Sequence, residues 1–445
     1  MEGIRGEVAV IGLGRSGRSA VRLLRRDGHP VYGSDGGRQP ALEATAAELT
    51  ALGAAVEIGG HDLDRIGRAG LVVASPGVPP AAAPLAAARA AGVPIWAEAE
   101  LGLRALNGTV PYAAITGTNG KTTTTALLAH LLVTGGRRAM AAGNIGTPLT
   151  EVALLEQRPE TLAVELSSFQ LHDMPSVAPA VGVLTNLAPD HLDRYPTLGS
   201  YYQDKLRLFA NATDGSQWVI NADDPATSDW LGPFAGRRLR FSVSDPADGW
   251  YDRAAGLLRL GDAPLIQRDR FPLLGDHNVA NALAATLAAV ALGIRLEAIG
   301  RGLATVVPLK HRMEPIREVR GVLWINDSKA TNVASTVVAI RAMDRPFVLL
   351  LGGRHKGEPY QALGPLLGRC RAVIAYGEAK PLVVADLTAT VPVIEGEGFD
   401  DVMARAVEQV RPGDAVLLSP ACSSYDMFAN YEERGARFRA LVEAL

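Results

Sequence analysis

The chain has 445 residues, and that length predicts about two to four domains. Its 44 lysines and arginines against 47 aspartates and glutamates give a formal net charge of -3, so no basic face for nucleic acid is implied. Hydrophobic residues make up 48% and charged residues 20%, which is typical of folded domains, whereas 5% aromatic residues argues against a stacking surface for bases.

The sparse cysteine usage favours a reducing compartment. Cys370 and Cys422 are too few for a disulfide framework or a cysteine zinc site. The first apolar run is too short for a signal peptide, and stretches such as 347–351 and 284–294 are shorter than the ~20 residues that cross a bilayer. We expect a cytoplasmic monomer with no nucleic-acid and no membrane partner.

Short apolar runs alternate with helical stretches rich in alanine and leucine along the whole chain. This alternation is typical of buried parallel strands joined by crossover helices, so the predicted fold class is α/β. The pattern restarts at Val8, near Tyr112 and near Val322, with candidate joints at 98–108 and 308–314. We predict three domains, a Rossmann-like N-terminal one, a central P-loop ATPase and a Rossmann-like C-terminal one, with the bounds 1–98, 99–308 and 309–445.

The first motif is GLGRSG, whose glycines are Gly12, Gly14 and Gly17. It lies between the strand VAVI and a helix predicted over 18–27, and Asp35 closes the next strand, as in the dinucleotide fingerprint. Glycines there let the backbone approach a diphosphate at a helix N-terminus. NAD, a UDP-type ligand and a merely tight turn all suit this pattern, and the later SPGV segment (75–78) is either a ligand contact or an ordinary turn.

A phosphate-binding loop is predicted at 116–122, between the strand YAAI and a helix predicted over 123–133. It departs from the strict Walker pattern, because Ile115 stands where that pattern has its first glycine. By its mechanism, Lys121 holds the β- and γ-phosphates and the Thr122 hydroxyl reaches Mg²⁺. A helix cap is the alternative interpretation.

Acidic and imidazole side chains follow the next two strands of this domain. Glu165 ends the strand TLAVE, and Asp190 and His191 follow VGVLTN. Each alone is more often a surface residue, but two such positions after a phosphate loop indicate a site. Mg²⁺ prefers oxygen ligands, so Glu165 suits it better than His191. The residues alone therefore indicate an ATP-using enzyme with a second nucleotide-like pocket and a third α/β domain.

Further motifs resemble those of bacterial Mur ligases, in particular the D-glutamate-adding member. They run in family order from Gly12 to Gly435 and include GTNGKTTT, AGNIGTP, ELSSFQL, TNLAPDHLDRY, HNVANALAA, LKHRME, NDSKATN, LLGGRHKG and SPACSSYDMFANYEERG. The resemblance implies an enzyme of peptidoglycan-precursor synthesis that uses ATP and two Mg²⁺ ions, with no NAD expected. ATP phosphorylates the carboxylate of UDP-N-acetylmuramoyl-L-alanine, and the amine of D-glutamate attacks the acyl phosphate through a tetrahedral intermediate.

The resemblance also implies roles for individual residues. The implied catalytic residues are Lys121, Glu165, His191, Lys205 and Lys329. The implied metal residues are Thr122, Glu165, His191 and Lys205. Those implied to bind ATP are Gly117, Thr118, Asn119, Gly120, Lys121, Thr122, Thr123, Asn278, Arg312 and Asp327. Those implied to bind the UDP substrate or the amino acid are Gly14, Arg15, Ser16, Asp35, Ser75, Asn144, Ser167, His191, His311, Lys329, Thr331, Lys356, Ser424 and Tyr431.

Three positions carry particular interest. Lys205 falls where the family has a carbamylated lysine, and a plain surface lysine in a helix is the alternative. Tyr431 stands where the family pattern usually has phenylalanine, and residues 36–38 depart from the usual uracil contact after Asp35, so Arg38 is only a candidate there. The rival functions are a sister Mur ligase, folylpolyglutamate synthetase, an NAD-dependent oxidoreductase and a nucleotide-regulated binding protein without catalysis.

Overall fold

The computed structural model describes residues 4–190 and 194–445. Within them, helices alternate with strands, and the strands form three sheets. Strands begin at Val8, Tyr112 and Val322, where the pattern restarts in the sequence; the first two open the first and second sheets, and the third is the second strand of the third sheet. Among the described residues, no helix has the length and apolar character needed to cross a lipid bilayer.

The first sheet is entirely parallel and has the strand order β3-β2-β1-β4-β5. Its order reverses between β1 and β4, so the loops after these two strands flank a crevice at the carboxyl edge. The strands are β1 (Val8–Ile11), β2 (Val31–Asp35), β3 (Ala55–Ile58), β4 (Leu71–Ala74) and β5 (Ile95–Ala97). The helices are α1 (Arg15–Arg26), α2 (Pro40–Ala51), α3 (Leu63–Gly67), α4 (Ala83–Ala90) and α5 (Glu98–Leu106).

The second sheet has the order β14-β13-β12-β11-β10-β9-β6-β8-β7, and its strand pairs are parallel except for β12 with β13 and β13 with β14. Its strands are β6 (Tyr112–Thr116), β7 (Ala139–Gly143), β8 (Thr161–Glu165), β9 (Val181–Leu184), β10 (Gln217–Asn221), β11 (Arg237–Ser242), β12 (Gly249–Asp252), β13 (Leu257–Leu260) and β14 (Ala263–Gln267). The helices along this stretch are α6 (Lys121–Thr134), α7 (Leu149–Leu154), α8 (Ser168–His172), α9 (Leu198–Leu206), α10 (Pro225–Trp230), α11 (Asp276–Ala291) and α12 (Leu296–Thr305), with 3-10 turns at Arg207–Phe209 and Arg268–Arg270.

The third sheet has the order β15-β16-β20-β17-β18-β19, and only its edge pair β15 and β16 is antiparallel. Its strands are β15 (Glu314–Val319), β16 (Val322–Asn326), β17 (Phe347–Gly352), β18 (Cys370–Tyr376), β19 (Val393–Glu395) and β20 (Ala415–Leu418). Its helices are α13 (Val333–Arg341), α14 (Lys380–Leu387), α15 (Phe399–Gln409) and α16 (Tyr431–Glu443), with a 3-10 helix at Tyr360–Arg369.

The chain forms two compact units. The first unit comprises 1–271 and 280–304 and contains the first two sheets; the second comprises 272–279 and 305–445 and contains the third. The segment 98–108, predicted as a joint, is largely helix α5, and its first five residues are buried. One continuous apolar core therefore runs from the first sheet through α5 and α7 to the second. The exact domain bounds stay a prediction.

Two helices begin earlier than the sequence pattern predicts. Helix α1 starts at Arg15 rather than at residue 18, because extended Gly14 is its N-cap and the Ser-Gly pair that looked like loop forms the first turn. Helix α6 starts at Lys121 rather than at residue 123, because Gly120 caps it with a φ of 82°. Both shifts place motif residues directly in a helical first turn, where backbone N–H groups are free to bind anions.

Candidate active site

The phosphate loop connects β6 to α6 in a conformation that needs glycine. Gly117 has a φ of 140° and Gly120 a φ of 82°, and a side chain at either would be strained. A Cβ on Gly117 would overlap the Thr185 hydroxyl, and one on Gly120 would overlap the side chain of Asn281. Thr122 and Thr123 lie in the first turn of α6, whose positive end faces the loop.

Residues after β9 hold the phosphate loop in place. The Asn119 backbone N–H donates to Asn186 Oδ1 at 2.9 Å, and the Thr185 hydroxyl donates to the Asn119 carbonyl at 2.6 Å. The Thr118 hydroxyl donates to the Ala188 carbonyl at 3.0 Å. The loop is therefore preorganised by a neighbouring strand end. Sequence reasoning missed Asn186, although it lies within the TNLAPDHLDRY motif.

Two lysines meet at one carbonyl of the loop. Lys121 Nζ donates to the Gly117 and Thr118 carbonyls at 2.9 and 2.8 Å, and Lys205 Nζ donates to the same Gly117 carbonyl at 2.8 Å. Lys205 is 1% exposed, so it is not a surface lysine. Burial, and then the charge of Lys121, lower its pKa well below the ordinary value of a lysine. Its amine thus loses its proton far more readily than an exposed one.

A buried carboxylate lies at the end of β8, next to this loop. Glu165 is 2% exposed, and its Oε1 accepts a hydrogen bond from Asn144 Nδ2 at 2.8 Å. Its Oε2 is buried and has no hydrogen-bond partner among the described residues. An unpartnered buried carboxylate oxygen is costly unless a cation or donor joins it. This donor chemistry fits a hard cation such as Mg²⁺.

The other predicted metal residues are distributed unevenly. Thr122 lies in the first turn of α6, whereas the prediction for His191 falls outside the described residues. In the described part of the chain, no group of three or more His, Cys, Asp or Glu residues is arranged to hold a metal ion. Glu165, with its burial and its unpartnered oxygen, is the described carboxylate that best fits the task.

A cleft of about 570 Å³ opens at the crevice of the first sheet. The predicted substrate residues that line it are Gly14, Arg15, Ser16, Asp35, Ser75 and Asn144. Asn144 also donates to Glu165, so one hydrogen bond connects the wall of the cleft to the buried carboxylate beside the phosphate loop. Ser167 lies apart from this lining and forms a capping box with Gln170 at the start of α8.

The GLGRSG motif shapes one wall of the cleft. Gly12 has a φ of 84°, and a Cβ on Gly17 would overlap the Gly12 carbonyl, so the helix packs tightly on the strand end. The Ser75 hydroxyl donates to that carbonyl at 2.8 Å, which joins the loops after β1 and β4. Gly12 and Gly17 therefore have the turn and packing roles that the fingerprint predicts, and the role of Gly14 stays a prediction.

The charged residues of the cleft already have protein partners. Asp35 accepts the backbone N–H groups of Leu13 and Gly37, each at 2.8 Å, so it shapes the loops around the cleft. Arg15 pairs with Glu151 at 3.0 Å. Arg38 does not line the cleft, but His61 does, a residue that sequence reasoning missed because no motif surrounds it.

In the second unit, several predicted residues gather at the carboxyl ends of β16 and β20. Lys329 Nζ donates to the Tyr431 hydroxyl at 2.8 Å, and the His311 ring lies 6.1 Å from the Tyr431 ring in an edge-on arrangement. The phenol that departs from the family pattern thus holds Lys329. Asp327 is buried, and burial raises its pKa to about 7, while its oxygens accept from Met313 N–H and the Ser419 hydroxyl.

A second group lies on the loops after β17 and β20. Lys356 Nζ donates to the Thr331 hydroxyl at 3.5 Å, and the backbones of Arg354 and Ser423 pair across the two loops. Ser424 is 3% exposed in the same loop. Sequence reasoning missed the fully buried guanidinium beneath, which belongs to Arg434 and donates to Ser328 and Cys422 carbonyls.

The two remaining predicted nucleotide residues also belong to the second unit. Asn278 is buried, and its side chain donates to the Leu274 carbonyl at 2.8 Å. Arg312 lies in the turn before β15, where its backbone N–H donates to Leu309 O at 3.2 Å. The first unit thus brings together the phosphate-loop residues and the cleft, and the second brings together Lys329, Tyr431 and His311 in one group and Thr331 and Lys356 in another.

A parallel α/β fold with a phosphate loop, a buried carboxylate and a separate nucleotide-type cleft defines a nucleotide-dependent enzyme of several domains. Comparisons with known proteins specify which. Three family models match the chain: "Mur ligase MurD-like, N-terminal domain" at residues 6–97, "Mur ligase middle domain" at 115–289 and "Mur ligase, glutamate ligase domain" at 311–422.

Curated relatives match over almost the whole length. The chain is 42% identical to the UDP-N-acetylmuramoylalanine–D-glutamate ligase of Anaeromyxobacter dehalogenans (strain 2CP-C), covering 98% of this chain and 97% of the relative. It is 40% identical to the enzyme of the same name from Myxococcus xanthus (strain DK1622), covering 99% and 98%. The chain therefore belongs to the Mur ligase family, whose members are ATP-dependent and generally need Mg²⁺.

Solved structures agree on the fold. A pseudomurein peptide ligase type C from Methanothermus fervidus matches with a TM-score of 0.62 at 19% identity, covering 99% of this chain and 100% of that one. UDP-N-acetylmuramate-alanine ligase MurC from Thermotoga maritima matches with a TM-score of 0.62 at 18% identity and the same coverage. The predicted three-domain α/β fold is confirmed.

Proposed function

We propose that this chain is the ATP-dependent ligase that joins D-glutamate to UDP-N-acetylmuramoyl-L-alanine in peptidoglycan-precursor synthesis. The names of relatives at 42% and 40% identity over nearly the full length support this assignment. The observation that carries the chemistry is the contact between Asn144 of the substrate cleft and buried Glu165 beside the phosphate loop. It joins a nucleotide-type cleft to a phosphoryl-transfer site.

The first step activates a carboxylate. A carboxylate oxygen of the UDP substrate attacks the γ-phosphorus of ATP, the bond to the β-phosphate oxygen breaks, and ADP leaves. Lys121 and the N-terminus of α6 offset the charge that develops on the transferred phosphoryl group. The cleft residues orient the carboxylate, and Asn144, fixed by Glu165, is the side chain between the two parts of the site.

The second step forms the amide. The D-glutamate nitrogen attacks the acyl carbon, a tetrahedral oxyanion forms, and the C–O bond to phosphate breaks while the nitrogen releases a proton. Positive charge stabilises such an oxyanion, and the proposed source of this charge is Lys329, a residue of the second unit. The Tyr431 hydroxyl, which accepts from Lys329, keeps that ammonium in one orientation. Lys356 and Ser424, with Thr331 and His311, are proposed to bind the amino acid.

Mg²⁺ fits the residues that surround the phosphate loop. When bound, it neutralises phosphate charge and aligns the phosphoryl group. Glu165 and Thr122 would hold one ion, and by the resemblance His191 would hold a second. We propose these two sites, with Lys205 as a carbamate among the metal residues, because its buried amine has a lowered pKa and more readily takes the uncharged form that reacts with CO₂. The carbamate replaces a cation by oxygen ligands.

The first experiment measures phosphate release from ATP with Mg²⁺ and UDP-N-acetylmuramoyl-L-alanine, comparing D-glutamate, L-glutamate, L-lysine and diaminopimelate as acceptors. Release that depends on D-glutamate supports the proposal. Release with another acceptor would assign the chain to a sister ligase, and no release with any acceptor would refute a ligase function. The proposed monomeric state is tested by light scattering, and the proposed cytoplasmic location by fractionation of the native host.

A further inference from the structure

One buried phenol links the two loops of the proposed amino-acid site. Tyr360 is 1% exposed and begins the 3-10 helix of the second unit. Its hydroxyl lies 2.9 Å from His355 Nδ1 and 2.9 Å from Cys422 Sγ. The Tyr360 and His355 rings also pack together, with centroids 5.5 Å apart. A single hydroxyl therefore bridges two chain segments that are distant in sequence.

Both segments belong to the same edge of the third sheet. His355 lies in the loop 353–359 after β17, and Cys422 lies in the loop 419–430 after β20. These strands are parallel neighbours, so their loops emerge side by side. Lys356 follows His355 directly, and Ser424 is two positions beyond Cys422. The bridge thus joins the immediate neighbours of two residues assigned to the acceptor.

Other contacts define how the loops pair. The Arg354 N–H donates to the Ser423 carbonyl at 2.9 Å, and the Ser423 N–H donates back to Arg354 at 3.2 Å. Gly353 has a φ of 128°, and a Cβ there would overlap the Ser423 carbonyl. Backbone pairing, with a bond from the Ser423 hydroxyl to the Arg354 carbonyl at 3.3 Å, therefore sets the loops close together on one side, while the buried phenol joins His355 and Cys422 on the other.

The backbone of Tyr360 is also held in place. The Tyr360 N–H donates to Asp386 Oδ2 at 2.8 Å, which fixes the start of the 3-10 helix. Burial raises the pKa of the Tyr360 hydroxyl, and burial raises the pKa of the Cys422 thiol to about 11, so both keep their protons near neutral pH. A phenylalanine would leave the half-buried imidazole nitrogen and the buried thiol without this bond.

We propose that Tyr360 is a positioning residue for the acceptor amino acid. Its hydroxyl holds the loops 353–359 and 419–430 at the separation at which Lys356 and Ser424 bind the carboxylates of a small dicarboxylic amino acid. This inference rests on the proposed function. Tyr360 is not among the residues proposed to bind ATP or the UDP substrate and does not line the cleft, so we expect its effect to be confined to the acceptor.

The test compares Tyr360→Phe with wild type in steady-state kinetics. We expect the KM for D-glutamate to rise about 10-fold, because part of the binding energy is spent on re-forming the loop spacing, while the KM values for ATP and the UDP substrate stay within about twofold. Cys422→Ala should also raise the KM for D-glutamate, whereas Cys422→Ser, which keeps a hydrogen-bonding group, should have a KM close to that of wild type. The double variant Tyr360→Phe with Cys422→Ala should have a KM for D-glutamate no higher than that of the single variant with the higher KM.

Tyr112→Phe is the matched control. It removes a hydroxyl that accepts from the Ala178 N–H at 2.9 Å, at the end of β6 opposite the phosphate loop. We expect a similar loss of thermal stability and no change in the KM for D-glutamate. An unchanged KM in both Tyr360→Phe and Cys422→Ala, with stability lost as in the control, would overturn the proposal.

Failure of the proposed function gives a different result. If wild type releases phosphate with another amino acid, the function assigned above is wrong, and the same variants are measured with that acceptor. If Tyr360→Phe does not fold, Cys422→Ala and Cys422→Ser decide the outcome, because they remove and restore the other end of the bridge.

Discussion

Gly120 and Gly136 flank helix α6 and have nearly equal backbone conformations, with φ values of 82° and 86°. Alanine at Gly136 meets nothing within 4 Å, so only the left-handed strain of about 1 kcal/mol applies. Alanine at Gly120 adds an overlap with Asn281, which costs about 1–3 kcal/mol more. We expect Gly120→Ala to lower the free energy of unfolding further than Gly136→Ala and to raise the KM for ATP.

Urea unfolding and ATP kinetics of the two variants provide the measurement. Because φ is matched, the difference between the variants isolates the close approach of the loop to α11. Equal stabilities and an unchanged KM for ATP in Gly120→Ala would mean that the loop adjusts without loss, and that its geometry is not constrained as described.

At the level of single residues, the sequence indicates types of chemistry better than contacts. The motifs placed Lys121 in a phosphate-binding loop and Glu165 at the end of a strand. The burial of Lys205 could not be predicted, because helical periodicity does not say that α9 packs its lysine against the phosphate loop, and lysines are usually exposed. The side chains of Asn186 and Arg434 bind backbone groups of other residues, and such bonds leave no distinct pattern in a single sequence. The ligand contacts of all these residues stay predictions.

At the level of elements, α5, α7 and α1 are connected by a buried polar chain. Glu98 Oε1 accepts from the Thr150 N–H at 2.7 Å and from its hydroxyl at 2.6 Å, and that hydroxyl lies 2.6 Å from the Ser19 hydroxyl. Ser19 in turn donates to the carbonyl of Ser16, a lining residue of the cleft. Glu98 Oε2 is buried without a hydrogen-bond partner among the described residues.

The buried carboxyl group of Glu98 predicts that the free energy of unfolding depends on pH. Burial raises the pKa of Glu98 from 4.5 to about 7, so the folded state favours the protonated acid. The resulting stabilisation is fully present below about pH 4.5 and is lost as pH rises through about 7, a span worth about 3 kcal/mol. Glu98→Gln removes the titrating group. The free energy of unfolding of the variant, relative to that of wild type, should therefore rise by about that amount between about pH 5 and about pH 8.

Urea unfolding at several pH values checks this prediction. Glu156→Gln is the control, because it removes an exposed carboxylate that lies two residues after the end of α7. If the free energies of unfolding of wild type and Glu98→Gln change in parallel with pH, the pKa of Glu98 is the same in the folded and unfolded states and the prediction is wrong.

Elements with strong apolar patterns were predicted well, and those with mixed patterns were not. The strands β1, β6, β8 and β17 are continuous apolar runs buried on both faces, which the pattern identifies directly. The strands β12, β13 and β14 were not predicted, because they carry mixed polar and apolar residues. Their pairing depends on neighbouring strands rather than on local sequence.

At the level of the whole molecule, the three sheets follow from the three restarts of the strand pattern, but the division into two units does not. The core is continuous across the predicted first joint because α5 and α7 pack closely, with a Cβ on Gly102 2.5 Å from the backbone of Leu149. Composition alone does not distinguish such a buried helix from a linker. The proposed cleft residues of the UDP substrate and the proposed acceptor residues thus belong to separate compact units.

This separation predicts where each ligand protects backbone amides from hydrogen exchange. A ligand slows exchange where it raises the free energy of local opening. The UDP substrate alone should protect peptides that contain 12–17 and 75–78, whereas D-glutamate at saturation should protect peptides with 329–332, 353–358 and 422–425. NAD should protect neither set if the GLGRSG loop serves the UDP substrate. Protection of 12–17 by NAD, with none from the UDP substrate, would contradict the assignment of the cleft and support the dehydrogenase alternative.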